Sequence, residues 1–135
     1  MPNLKRLEEA REWLRHASED LEAAQVLLAA DPPKLRQALF HAQQAVEKSL
    51  KAFLVAHEVP YPLTHNLTLL MDLCVAIEAS LLEIIRPVVW LTQYAVRFRY
   101  PGGFAQPSRE QAPEGLASAV LVHAGLAERL GVSGG

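Results

Sequence analysis

Between residues 4 and 29, leucine recurs at every seventh position, as Leu7, Leu14, Leu21 and Leu28. Ala10, Ala17 and Ala24 fall between them at spacings of three and four. That period places large and small side chains alternately along one face of a helix. Leucine supplies burial, and alanine lets a neighbouring backbone come close. The pattern predicts a long helix with a tight internal seam, although four such heptads also suit a two-stranded coiled coil. Asp31-Pro32-Pro33 ends the helix, because proline lacks an N–H and its ring obstructs the preceding turn.

A second helix is predicted from about Lys34 to His57. Ala38, Ala42, Ala45, Ser49, Ala52 and Ala56 form a stripe of small residues that matches the Leu/Ala seam, flanked by Leu35, Leu39, Val46 and Phe53. A Pro-Pro connection this short makes the two helices antiparallel neighbours. The opposite stripe reads Lys34, Gln37, His41, Gln44, Lys48 and Lys51. It holds three lysines and no acid, while Glu47 stands beside it, one turn from Lys51.

After Pro60-Tyr61-Pro62, the run Thr64-His65-Asn66 offers helix caps to a shorter amphipathic helix carrying Leu67, Leu70, Leu73, Cys74 and Ile77. Helix is expected again from Leu81 to Arg99, with Pro87 kinking it or opening its main part. Tyr100-Pro101-Gly102-Gly103 breaks it. Ser108 and Gln111 make a capping-box-like start to a last helix, with Pro113 moving the start towards Ala112. Leu116, Val120, Leu126, Ala127 and Leu130 give that helix its apolar face, and Gly131 stops it. No segment alternates with period two. The expected fold is all-α: an up-and-down antiparallel bundle of four main helices plus one short helix. It forms a single domain over 1–135, with a core of about 4–130 and a frayed tail over 131–135.

Composition narrows the function classes. Half of the residues are apolar and the formal net charge is −2. The longest apolar stretch, Leu81 to Leu91, is interrupted by Glu83, Arg86 and Pro87, so no membrane span is expected. The first residues lack the apolar core of a signal peptide. A lone cysteine, Cys74, allows neither an internal disulfide nor a cysteine metal cluster, and its apolar helical setting suits a core filler. A cytoplasmic setting is the expectation. Charge is unevenly spread: residues 84–109 hold Arg86, Arg97, Arg99 and Arg109 and no acid.

Glycine-rich phosphate loops, Glu-x-x-His pairs and zinc-protease helices are all absent, and no metal or cofactor is expected. What remains is basic. Arg97-Phe98-Arg99-Tyr100-Pro101 puts two guanidinium groups and two aromatic rings where a helix ends in a rigid turn. Guanidinium forks match phosphate oxygens, and tyrosine stacks on a base or bonds to a phosphate. Arginine near a helix C-terminus also simply complements the helix dipole. If this turn folds against the lysine stripe, Lys48, Lys51, Arg97, Arg99 and Tyr100 make one anion-binding surface. His41 shares the stripe, and His65 either starts a helix or meets a ligand.

Trp13-Leu14 with Ala17-Ser18-Glu19-Asp20-Leu21-Glu22-Ala23-Ala24, then Phe40-His41-Ala42-Gln43-Gln44-Ala45-Val46-Glu47-Lys48-Ser49-Leu50-Lys51-Ala52, then Thr64-His65-Asn66-Leu67 and Arg99-Tyr100-Pro101 occur in an order that resembles the HEPN domain family. The resemblance runs from about residue 7 to residue 130. It implies a helical bundle associated with nucleotides and RNA, frequent homodimers, and often a minimal nucleotidyltransferase as partner in a toxin–antitoxin pair. Many members of that family are metal-independent ribonucleases with an arginine followed four to six residues later by histidine. Here the corresponding positions after Arg99 are Phe104, Ala105 and Gln106, and after Arg97 they are Gly102, Gly103 and Phe104, so the dyad is missing. Arg11–His16 and Arg36–His41 meet the spacing but on the first two helices, and read as accidental. The expectation is a protein that binds a nucleotide, RNA or a nucleotidyltransferase, with no catalytic residue assigned. The alternatives are a ribonuclease toxin with a non-standard site, using His41 or His65, and a structural helical adaptor.

Overall fold

The computed structural model describes residues 4–96 and 107–132, with no strand among the described residues. Helix α1 spans Leu4–Ala29 and α2 spans Leu35–Ala56. The two run antiparallel. Lys34 donates its backbone N–H to the Leu27 carbonyl at one end, Asp20 meets His41 and Lys48 midway, and Arg6 meets Glu58 at the other end. The Leu/Ala pattern of α1 is used inside the chain: Ala10, Leu14, Ala17, Leu21 and Ala24 are buried, facing a helix that buries Ala38, Ala42, Ala45, Ala52 and Ala56. That occupies the face a two-stranded coiled coil would require. Each fully buried leucine here contributes about 2 kcal/mol through removal of apolar surface from water.

Helix α3 (Leu67–Ile77) starts where the Thr64-His65-Asn66 signal places it. The Asn66 side chain accepts the backbone N–H groups of Thr68 and Leu69, two donors that have no partner inside the helix. The single helix expected from Leu81 to Arg99 is instead segmented. Its described part consists of α4 (Leu81–Ile85), a 3-10 helix (Arg86–Leu91) and α5 (Thr92–Val96). Pro87 accounts for the break, since it cannot donate to the carbonyl four residues back and its ring crowds that carbonyl. The tighter turn aims Val88, Leu91 and Tyr94 into the core.

Helix α6 (Gln111–Leu130) packs on both long helices and closes the bundle. Its start is a reciprocal capping box: Gln111 N–H donates to Ser108 Oγ, and Ser108 N–H donates to Gln111 Oε1, each at 3.0 Å. Pro113 falls within the first turn, where a missing N–H costs nothing, so the helix begins one residue before Ala112. At the other end Gly131 takes φ 70°, a left-handed conformation, and its N–H with that of Val132 closes onto the Glu128 and Ala127 carbonyls. His123 is buried on α6, and its Nε2 donates to the Leu14 carbonyl of α1 at 3.0 Å. A carbonyl only accepts, so the ring proton sits on Nε2. The result is the all-α bundle that the apolar pattern predicts. No helix among the described residues is long and apolar enough to cross a membrane.

Close packing around Gly115 supplies a test of this arrangement. A Cβ there would stand 2.9 Å from Leu39 Cδ2 and 3.1 Å from the Trp90 ring. Gly115→Ala gains about 1 kcal/mol of helix propensity, but overpacking a filled core costs about 1–3 kcal/mol. The variant is expected to unfold at lower urea than the wild type. A higher midpoint would show that α6 does not lie this close to Leu39.

Candidate functional site

The polar face of α2 is organised by two carboxylates, each shared between a histidine and a lysine. Asp20, reaching over from α1, accepts His41 Nδ1 at 2.8 Å on one oxygen and Lys48 Nζ at 2.7 Å on the other. Glu47, on α2 itself, accepts His65 Nδ1 at 2.8 Å and Lys51 Nζ at 2.9 Å in the same divided manner. An ionised carboxylate has only acceptors, so each imidazole carries its proton on Nδ1. In the neutral ring the lone pair is then on Nε2, away from the acid.

The two groups differ in depth. Glu47 is 5% exposed and Lys51 9%, whereas the His65 side chain is 47% exposed. Lys51 lies beneath two aromatic rings, with Nζ 5.8 Å from the centre of Trp13 and 5.7 Å from that of Tyr61. Those rings attract a desolvated cation. Gln43, fully buried, donates through Nε2 to both Glu47 Oε1 and the His65 carbonyl, and Gln44 donates to Gln43. The loop carrying His65 is thereby tied to α2 through its backbone as well as its ring. In the other group, Asp20 is nearly buried while Lys48 and His41 are each about a quarter to a third exposed.

Burial alone would raise the Glu47 carboxyl. Hydrogen bonds from Lys51 and His65, the charge of Lys51 and the Gln43 amide outweigh it and hold the group below its ordinary value of 4.5. With neutral rings each trio of acid, lysine and histidine carries no net charge, so the lysine stripe is largely compensated within the chain. Protonation of a ring adds one positive charge to its trio. The arrangement can therefore accept a proton at Nε2, or present a fixed N–H and a positive charge to an anion.

Of the five residues singled out in the sequence as ligand-binding, the structure describes Lys48 and Lys51, both in ion pairs. Arg97, Arg99 and Tyr100 lie outside the described residues. The described chain approaches them along α5, which packs on α2. Thr92, at the head of α5, accepts the Leu67 N–H through Oγ1, two residues from His65. Arg11 and His16 sit on the exposed side of α1, and His16 is 3.7 Å from Glu19. Asp20 is the participant that sequence reasoning missed. Its only signal was an acid at the edge of the α1 seam, at a depth where the opposite helix carries a lysine and a histidine. Among the described residues, no group of three or more histidines, cysteines or acids could hold a metal ion.

With that geometry in place, the family comparison is decisive: the model of the HEPN domain matches residues 10–128. The chain belongs to the HEPN domain family. No curated protein and no solved structure matches it. In this HEPN domain the matched span runs from Ala10, the first buried alanine of the α1 seam, to the last turn of α6. It takes in the whole of α2 and both carboxylate-centred groups.

Two measurements probe this chemistry. The Glu47 carboxyl has a folded value below its unfolded one, so it stabilises the fold above about pH 4.5, and that stability is lost as pH falls through the folded value. Glu47→Gln leaves Lys51 buried without its counter-charge and is expected to cost about 3 kcal/mol at neutral pH. It should also flatten the acid limb of stability. Urea midpoints across pH read both effects, and a variant as stable as wild type at neutral pH would contradict the ion pair. Cys74, buried in α3 with its thiol pushed up to about 12 by burial, should label with a thiol reagent only as fast as the protein unfolds. Rapid stoichiometric labelling of the native protein would place Cys74 at the surface.

Proposed function

We propose that this HEPN domain binds the phosphates of a nucleotide or an RNA segment over the polar face of α2, as one member of a toxin–antitoxin-type pair with a minimal nucleotidyltransferase. Lys48 and the imidazoles of His41 and His65 face the ligand from the helix side. Arg97, Arg99 and Tyr100 supply guanidinium forks and a stacking ring from the turn. Lys51 acts from beneath, fixing the carboxylate that orients His65. The observation that carries this reading is the pair of imidazoles held by Asp20 and Glu47, each with its second ring nitrogen turned away from its acid. Fixed donors cost an arriving anion little reorganisation, and the family supplies the ligand class.

A second reading is favoured by the exposure of His65. Its Nε2 is placed to take the proton from an RNA 2′-hydroxyl as that oxygen attacks the adjacent phosphorus. The bond from phosphorus to the 5′ oxygen would break, that oxygen would take up a proton, and the products would be a 2′,3′-cyclic phosphate and a 5′-hydroxyl.

Fluorescence anisotropy with a labelled RNA oligonucleotide and with a labelled nucleotide, over a range of salt, tests the binding proposal. The logarithm of the affinity is expected to fall linearly with log salt. Arg99→Ala should weaken binding about tenfold and lower the salt slope by about one. Binding that ignores salt and survives both Arg97→Ala and Arg99→Ala would overturn it. Cleavage of the same RNA by wild type but not by His65→Ala would move the assignment to the second reading.

A further inference from the structure

Both imidazoles on the α2 face are held in a tautomer that cannot donate outward while the ring is neutral. Asp20 accepts from His41 Nδ1 and Glu47 from His65 Nδ1, each at 2.8 Å, so the one proton of a neutral ring is spent inside that contact. Its Nε2 then offers only a lone pair. A phosphate oxygen is an acceptor too, and two acceptors make no hydrogen bond. Lys48 and Lys51 do not remedy this, because each is committed to the second oxygen of the same acid.

One proton per ring changes the face. Placed on Nε2, it turns the outward atom into a charge-assisted donor and gives its trio a net charge of +1. That charge meets water, since the His65 side chain is 47% exposed and that of His41 32%, while their acids are 6% and 12% exposed. The carboxylate contact at Nδ1 persists in both states, so the ring keeps its aim as Nε2 changes from acceptor to donor.

We propose that anion binding on the α2 face is proton-linked, with His41 and His65 each taking up a proton as a phosphate oxygen reaches Nε2. This rests on phosphate binding over that face and adds its regulation. Affinity for an RNA phosphate rises as pH falls, and by reciprocity bound RNA draws protons onto the rings at fixed pH. The acids impose this through the tautomer as well as through charge. A ring free to carry its proton on Nε2 would donate to phosphate while neutral, and no proton would be exchanged. The same tautomer separates binding from cleavage at His65: the protonated ring that holds a phosphate has no lone pair left to take a proton from a 2′-hydroxyl.

Among the described residues, the charged groups facing His41 are Asp20 of α1 and Lys48 of α2, and those facing His65 are Glu47 and Lys51 of α2. Thr92 of α5 adds only a hydroxyl, which accepts the Leu67 N–H. The other three histidines stand elsewhere. His16 lies beside Glu19 on the exposed side of α1, His57 packs on Phe53 at the end of α2, and His123 is buried under Leu14.

Fluorescence anisotropy at constant salt tests the proposal with a labelled 5′-hydroxyl oligouridylate, whose bases and phosphodiesters do not titrate between about pH 6 and about pH 8. Affinity is expected to be about tenfold higher at the acid end of that range. His41→Gln and His65→Gln should each reduce the rise, and the double variant should abolish it. Asp20→Ala should strengthen binding at the alkaline end and flatten the rise, because the His41 ring then keeps its proton on Nε2. Proton uptake is read separately by titration calorimetry in two buffers of different ionisation enthalpy; wild type should take up protons on binding and the double variant should not. Binding that weakens with salt yet stays level across this pH range overturns the proposal and leaves phosphate binding standing. No binding at any pH overturns both. A rise on acidification that survives in the double variant also overturns it, since other groups would then be responsible.

Discussion

Everything in this molecule is arranged around the close approach of α1 and α2. Alanine on both faces of that contact brings the backbones near enough for side chains at the edge of the seam to reach across. Asp20 is one such side chain, next to Leu21 in sequence but turned to the border of the contact, where it meets His41 and Lys48. Larger residues in place of Ala17, Ala42 or Ala45 would separate the helices and leave Asp20 short of both. The polar face of α2 is thus a consequence of the size of the residues behind it. The same closeness turns Lys51 inward beneath Trp13 of α1, where only a pairing with Glu47 makes a buried ammonium tolerable.

The lysines therefore have a different role from the one their spacing suggests. A stripe of lysines on a solvated helix would be an open positive field. Here Lys48 and Lys51 each neutralise an acid whose other oxygen holds an imidazole: in the Glu47 group an exposed ring stands over a buried lysine, and in the Asp20 group lysine and ring are both partly exposed. Satisfied polar networks of this kind fix orientation more than they add stability. In this HEPN domain the histidines are aimed by the scaffold, His41 by Asp20 and His65 by Glu47.

Much of the scaffold was legible in the sequence because its signals are local. The Leu/Ala heptads, Asn66 as a cap, the Ser108–Gln111 box and Gly131 as a stop each act within a turn or two of their own position, and the helices begin and end within a residue or so of them. The family was legible from the run around Gln43 to Lys51. Two features were not. The segment from Leu81 reads as one helix with a kink, because Pro87 alone does not reveal how far the tighter turn will propagate through Val88 and Val89. Asp20 could not be matched to His41 and Lys48, since they lie 21 and 28 residues away. Periodicity shows which face is apolar but not which charges on its border will meet. Only Glu47–Lys51, four residues apart on one helix, could be read directly.

The most direct measurement of this account is the tautomeric state of His41 and His65, read from imidazole ¹⁵N shifts at a pH where both rings are neutral. A free imidazole favours the proton on Nε2, whereas carboxylates at Nδ1 reverse that preference. The account predicts Nδ1–H at both residues, reverting at His41 in Asp20→Ala and at His65 in Glu47→Ala. Nε2–H in the wild-type protein would contradict it, because the two acids would then not be holding the rings.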